Sequence, residues 1–156
     1  MLTVGDDAPD FELLDQDGRP TRLTDFAGPV VVYFYPRADT PGCTSEACGF
    51  RDAWEEYEDR DITVLGISDD SPADLRAFAE KYDLPFTLLS DPDGEVAARY
   101  DSYGEKHMFG KRFDGTFRNT YLVDDGEVTG VYEDVTPEGH AEELLDDLDA
   151  RGESTA

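Results

Sequence analysis

The sequence predicts a three-layer α/β domain, a central mixed sheet with helices packed on it, preceded by an N-terminal hairpin. Three observations predict it. Residues 30–35, Val-Val-Val-Tyr-Phe-Tyr, are a continuous β-branched and aromatic run of the kind buried on both faces. A helical pattern follows, then a second apolar run at 62–67. The whole chain then reads strand, helix, strand, helix, strand, hairpin, helix, an α/β order. At 156 residues the chain suits one core, expected over 1–150 with a frayed tail at 151–156.

Each element has a local cause. Residues 11–14 and 21–23 flank Asp15-Gln16-Asp17-Gly18, a turn that makes them the hairpin. Pro29 precedes the strand at 30–35 and Pro36 ends it. Thr40-Pro41-Gly42 opens a helix expected over 43–59, where Ala47, Phe50, Trp54 and Tyr57 recur at three- and four-residue steps. The strand at 62–67 should lie parallel to the first through a right-handed crossover. Ser71 as N-cap, Pro72 at the first helical position and Asp74 in the first turn open a helix to about residue 82. A short strand at 86–89, the turn Asp91-Pro92-Asp93-Gly94 and a brief helix at 95–100 follow. Strands at 120–123 and 128–132 form a second hairpin around Asp124-Asp125-Gly126. Thr136-Pro137 caps a last helix to about residue 148, with Leu144, Leu145 and Leu148 on one side. Open α/β sheets build their sites beyond the carboxyl ends of the strands, which points to the residues after Tyr35.

Composition narrows the function. Thirteen basic against 38 acidic residues give a formal charge of −25, which repels phosphate backbones and anionic lipid. Nucleic-acid and membrane-surface roles are therefore excluded as expectations, although Phe109, Phe113 and Phe117 alternate with basic residues. The start, MLTVGDDAPDF, has neither a basic nor an apolar leader region, and no apolar run approaches the roughly 20 residues of a membrane span. A cytoplasmic location is expected. Lys is confined to Lys81, Lys106 and Lys111. A surface so rich in carboxylate repels itself, and salt near 1 M, with a screening length of about 3 Å, relieves this. Adaptation to a high-salt interior is the expectation, with an ordinary acidic protein as the alternative.

Two cysteines in a reducing compartment are catalytic, redox-sensing or metal-binding more often than structural. Cys43 falls in the first turn of its helix, where unpaired amides and the positive dipole end favour an anion, and the thiolate is the nucleophilic form of a thiol. Cys48 is five residues further on. Along an intact helix that is a rise of about 7.5 Å and a Cα separation of about 8 to 9 Å. A disulfide needs roughly 7 Å or less. If the two pair during function, the first turns must unwind. Zinc would require Cys43, Cys48, His107 and His140 at spacings unlike those of metal sites, and both histidines are expected on the surface.

The stretch 33–54, YFYPRADTPGCTSEACGFRDAW, closely resembles the active-site segment of the peroxiredoxins, and among them the peroxiredoxin Q or bacterioferritin-comigratory subfamily. A second block, YGEKHMFGKRFDGTFRNTYLVDDG at 103–126, resembles the later signature of that subfamily, so the likeness spans nearly the whole chain. It implies a thioredoxin-like fold and a peroxidase acting on hydrogen peroxide and organic hydroperoxides. By position, Cys43 matches the peroxidatic cysteine, which becomes a sulfenic acid. Cys48 matches the resolving cysteine of an intramolecular disulfide. Thr40 matches the hydroxyl that binds thiolate and peroxide, Pro36 the ring that shields the sulfur, and Arg118 the guanidinium that holds thiolate and developing charge. A thioredoxin-like dithiol would be the reductant, no metal, haem or nucleotide would be needed, and the chain would act as a monomer or weak dimer. Tyr103 and His107 depart from the residues frequent in the subfamily.

Simpler roles exist for each residue. A free Cys is often a small core residue, Pro36 could simply end a strand, and Thr40 could simply cap a helix. Glu46 is close enough in sequence to orient an Arg, but acids are everywhere in this chain. Arg118 gains from its setting, because the segment 104–118 holds four Lys or Arg against Glu105 and Asp114 alone. The rival functions are a thiol–disulfide oxidoreductase, which normally carries Cys-x-x-Cys, and a non-enzymatic redox sensor relaying oxidation to a partner.

Overall fold

A computed structural model describes residues 2–108 and 111–155. Phe109 lies outside the described residues, as do the side chains of His107 and Phe113 and those from 151 onward. The chain runs β1 (Glu12–Asp15), β2 (Pro20–Arg22), β3 (Pro29–Phe34), α1 (Pro41–Asp52), α2 (Trp54–Asp59), β4 (Thr63–Ser68), α3 (Pro72–Tyr82) and β5 (Thr87–Ser90). It continues with α4 (Glu95–Arg99), β6 (Tyr103–Met108), β7 (Lys111–Thr116), β8 (Thr120–Asp124), β9 (Glu127–Tyr132) and α5 (His140–Thr155). Seven strands form one sheet in the order β2-β1-β5-β4-β3-β8-β9. The β3–β4 and β4–β5 pairs are parallel and the outer pairs antiparallel, the expected mixed sheet with its N-terminal hairpin at one edge.

Side chains of β3 alternate between two cores, as the pleat requires. Val31, Tyr33 and Tyr35 join Ala47, Phe50, Tyr57, Leu75, Phe78 and Leu144, so α1, α2, α3 and α5 cover one face. Val30, Val32 and Phe34 join Phe11, Val96, Ala97 and Tyr100, which puts α4 and the N-terminal segment on the other. Tyr33 stands opposite Gly66 of β4, where an added Cβ would lie 2.7 Å from its ring. The glycine makes room for the tyrosine, and Tyr33 then stacks on Phe50 of α1 at 4.9 Å.

Three expectations are corrected. The helix expected over 43–59 begins at Pro41 and breaks at Ala53 (φ −97°, ψ 7°), giving α1 and α2. The bend sets Tyr57 beside Phe50 and aims its hydroxyl at the Ala141 carbonyl, 2.7 Å away, which ties α2 to α5. The last helix starts at His140, after Gly139 at φ 78°, and not at Thr136-Pro137. Those residues belong to a loop fastened to the sheet by the Val135 amide, which donates to the Arg118 carbonyl at 2.8 Å. His140 itself is 2% exposed, not a surface residue: its ring packs between Phe50 and Tyr132, with Nε2 3.0 Å from the Thr120 hydroxyl. The β6–β7 hairpin was not expected at all. Ser71 does cap α3, accepting from the Asp74 amide.

Candidate active site

β3 ends at Phe34, and the chain leaves the sheet through Pro36 to the start of α1. Thr40 is the extended N-cap residue, and Pro41, Gly42 and Cys43 are the first three helical positions. The first helical hydrogen bond runs from the Thr44 amide to the Thr40 carbonyl. Cys43 therefore sits where the helix offers unpaired amides and its positive end. Its apolar neighbours leave it only 2% exposed. Both cysteines are free thiols, and both lie in the unbroken α1, Cys48 half-buried.

Arg118, just before β8, reaches across 75 residues of sequence to this helix start. Its Nη2 donates to Cys43 Sγ at 3.3 Å and its Nη1 to Glu46 Oε1 at 2.9 Å. Burial works against the guanidinium's charge, but Cys43 and Glu46 outweigh it and its pKa is raised, so the cation is secure. Gly42 makes the approach possible: a Cβ there would lie 3.0 Å from Nη2 and 3.4 Å from Pro137 Cγ.

Glu46 is the residue that sequence reasoning could not single out. It follows Cys43 by three positions, on the core-facing side of α1, and its side chain is fully buried. Burial pushes its pKa up to about 7, although Arg118 opposes the shift. Glu46 Oε2 has no hydrogen-bond partner among the described residues, and neither do the buried hydroxyls of Tyr33 and Tyr35. One cation thus serves two acids, Cys43 and Glu46, in a desolvated setting. The burial of Glu46 was the missing signal, and its spacing from Cys43 the only trace of it in the sequence.

Pro36 and Arg118 line an open cleft of about 470 Å³, with Asp101, Phe117, Asn119, Glu133 and Asp134 around it. Thr40 lies at the helix start, but its hydroxyl donates to the Arg37 carbonyl at 2.7 Å and not to Cys43. With its proton so placed, that oxygen is left as an acceptor. The structure therefore brings Cys43, Arg118 and Glu46 into contact. It sets Pro36 in the cleft Arg118 lines, and holds Cys48 one and a half turns away. Chemically this is a sulfur at a helix start, held by a cation that itself lines a cleft open to solvent.

The AhpC/TSA family model matches residues 4–131. Peroxiredoxin Bcp of Escherichia coli is 49% identical over 146 residues, covering 92% of this chain and 94% of that protein. A putative peroxiredoxin of Mycobacterium tuberculosis is 46% identical over 149 residues, 94% of this chain and 95% of that one. Among solved structures, peroxidoxin BcpB of Mycobacterium tuberculosis superimposes with a TM-score of 0.86 at 39% identity, covering 96% and 98% of the two chains. A PrxQ mutant from Xylella fastidiosa gives 0.91 at 30% identity, with 97% and 98% covered. The fold is thus the thioredoxin-like fold of peroxiredoxins. The chain belongs to the AhpC/TSA family and, within it, groups with the Bcp or peroxiredoxin Q peroxidases.

Proposed function

We propose that Cys43 is the peroxidatic nucleophile of a thiol peroxidase that reduces hydrogen peroxide and organic hydroperoxides. The observation that carries this reading is the 3.3 Å contact between Arg118 Nη2 and Cys43 Sγ at the start of α1. The thiolate attacks the terminal oxygen of RO–OH, the O–O bond breaks, and Cys43 becomes a sulfenic acid while RO⁻ takes up a proton and leaves as an alcohol, or as water from hydrogen peroxide. Charge spreads onto both oxygens in that step, and a preorganised guanidinium stabilises it. Thr40, whose hydroxyl donates to the Arg37 carbonyl, accepts from the hydroperoxide O–H and orients it. A structure of the Bcp protein of Xanthomonas campestris is described in terms of alkyl peroxide reduction, which supports organic hydroperoxides as substrates here.

Cys48 then condenses with the sulfenic acid, releasing water and forming a disulfide. A dithiol donor of the thioredoxin kind returns both sulfurs to thiols, becoming oxidised itself. That donor meets the disulfide only where the start of α1 has opened.

Intact mass after one equivalent of peroxide tests the sequence of steps. The expected product is a loss of two mass units, the internal disulfide. Cys43→Ser should consume no peroxide. Cys48→Ser should take up one oxygen and stall without a small thiol. Full thioredoxin-dependent cycling by the Cys48 variant would remove that residue from the mechanism.

A further inference from the structure

The turn that carries Thr40 is held from outside the site, and we infer that Lys81 and Tyr82, the last two residues of α3, are positioning residues for the peroxidase step, fixing the Thr40 hydroxyl through Asp39. The inference rests on the peroxidase reading above, in which Thr40 accepts from the hydroperoxide. Thr40 is the N-cap residue of α1, yet its side chain makes no capping hydrogen bond to that helix. It turns back instead and donates to the Arg37 carbonyl at 2.7 Å. Where the hydroxyl points is therefore set by the turn at 37–40 and not by α1.

That turn is fastened at two residues. The Ala38 amide donates to Asp70 Oδ2 at 2.7 Å, just beyond β4, and the Ser68 hydroxyl donates to the same oxygen at 2.7 Å. Asp39 adopts φ 60°, a left-handed backbone that Asp is among the few residues to tolerate. Its carboxylate receives Lys81 Nζ on both oxygens, at 3.1 and 2.9 Å, and the Tyr82 hydroxyl at 2.8 Å. The hydrogen bond from Lys81, and after it the one from Tyr82, holds the Asp39 carboxyl below the usual carboxylate range. An exposed ion pair alone contributes little to stability. Here the effect is geometric, because three contacts on one carboxylate fix both its place and its plane. The brace is itself anchored: the Tyr82 ring packs edge-on to Phe78 at 5.5 Å, and the Tyr82 carbonyl accepts from Arg51 Nη1 at 2.9 Å. The end of α3 thus grips α1 in its last turn and the chain just before its first, and sets one against the other.

Thr40 adjoins Asp39 and precedes Cys43 by three residues. A shift of the turn moves the acceptor hydroxyl, while Cys43 stays where the core and Arg118 hold it. Loss of the brace therefore spares the thiol and costs the orientation of the hydroperoxide against it.

A Cys48→Ser background limits each chain to one oxidation and leaves Cys43 as the single thiol. In it, Lys81→Met and Tyr82→Phe together remove both donors while keeping the aliphatic stem and the ring. Oxidation by hydrogen peroxide, followed by stopped flow, should slow roughly tenfold, short of the about 10²-fold that a 1 Å misplacement can cost. Alkylation of Cys43 by iodoacetamide, which needs the thiolate but not the Thr40 hydroxyl, should change by less than about twofold. With Thr40→Val added, the same pair of substitutions should slow oxidation by less than about twofold, since no acceptor is left to position. Equal slowing with and without Thr40→Val, a loss in alkylation as large as that in oxidation, or no slowing at all overturns the inference and leaves the peroxidase reading intact. Failure of the Cys48→Ser chain to take up any oxygen would instead strike the peroxidase reading.

Discussion

Replacing Glu46 by Gln keeps the shape of the side chain and a carbonyl for Arg118, and removes one titration. The folded carboxyl has its pKa pushed by burial from 4.5 to about 7. A buried acid with a raised pKa binds its proton more tightly folded than unfolded, so its contribution is fully present below about pH 4.5 and is lost as pH rises through about 7. The shift corresponds to about 3 kcal/mol of stability forgone once the group is ionised in the folded state. Glu46→Gln does not pay that cost. Measured in a Cys43→Ser background, so that the neighbouring sulfur is absent, the stability difference between Gln and Glu should move in favour of Gln by roughly 2 to 3 kcal/mol between about pH 5 and pH 8. For a chain of this size that is a relative rise in Tm of about 4 to 12 °C. Urea or thermal melts over that range read it directly, and the other acids are common to both proteins. A difference flat with pH would mean that Glu46 ionises without hindrance, and that its burial beneath Arg118 does not govern its titration.

Arg118→Ala should slow the oxidation of Cys43 by on the order of 10²-fold, followed by stopped-flow fluorescence of the protein, and Arg118→Lys should recover only part, since a point charge cannot reach both Cys43 and Glu46. His140 should titrate in the opposite sense to Glu46. Burial lowers its pKa, while Glu143 at 3.1 Å and, more weakly, Asp147 oppose this and Arg118 adds to it. Its contribution is therefore present above the unfolded value near 6.5 and lost as pH falls. His140→Gln should flatten the loss of stability below about pH 6.5, seen as a smaller fall in Tm, and an unchanged slope would refute it. Raising ionic strength from about 0.1 M to about 1 M shrinks the screening length from about 10 Å to about 3 Å, so at a formal charge of −25 Tm should rise with salt. A Tm that stays level would count against adaptation to a high-salt interior.

What was legible in the sequence was what local chemistry writes. The run at β3, the Pro-Gly entry to α1 and the Ser71 cap each depend on a few neighbouring residues, and each is found. Cys43 was legible for the same reason, its value lying in a helix start that Thr40-Pro41-Gly42 announce. The break at Ala53 was not, because neither Gly nor Pro marks it. It follows from docking Tyr57 on α5, a contact 84 residues away. The β6–β7 hairpin hid in a charged stretch without the alternation of a half-buried strand. Glu46 and His140 share one cause of illegibility: a polar residue in a helix looks exposed until the partner that covers it is known. With 38 acids in the chain, the one buried beneath Arg118 carries no compositional mark.

The proposed cycle makes opposite demands on α1, and the packing shows how one helix can meet them. As nucleophile, Cys43 needs the first turn intact, since that turn holds it against Arg118 at the positive end of the helix. For a disulfide, the same turn must open, because about 8 to 9 Å between the Cα atoms exceeds what the bond tolerates. The far half of the helix is heavily fixed. Phe50 is fully buried against Tyr33, Tyr57 and Phe86, and Gly49 faces Ala141 of α5. The near half is held by less: a glycine at the second position, the buried Cys43 and Ala47, and a polar clasp through Arg118. One side of that clasp is Cys43 Sγ itself, so in the proposed cycle its conversion to a sulfenic acid would change the partner Arg118 holds when opening is needed. The oxidation would itself alter the hold on the turn that made it fast, while the core around Phe50 confines the unwinding to the residues between Thr40 and Cys48.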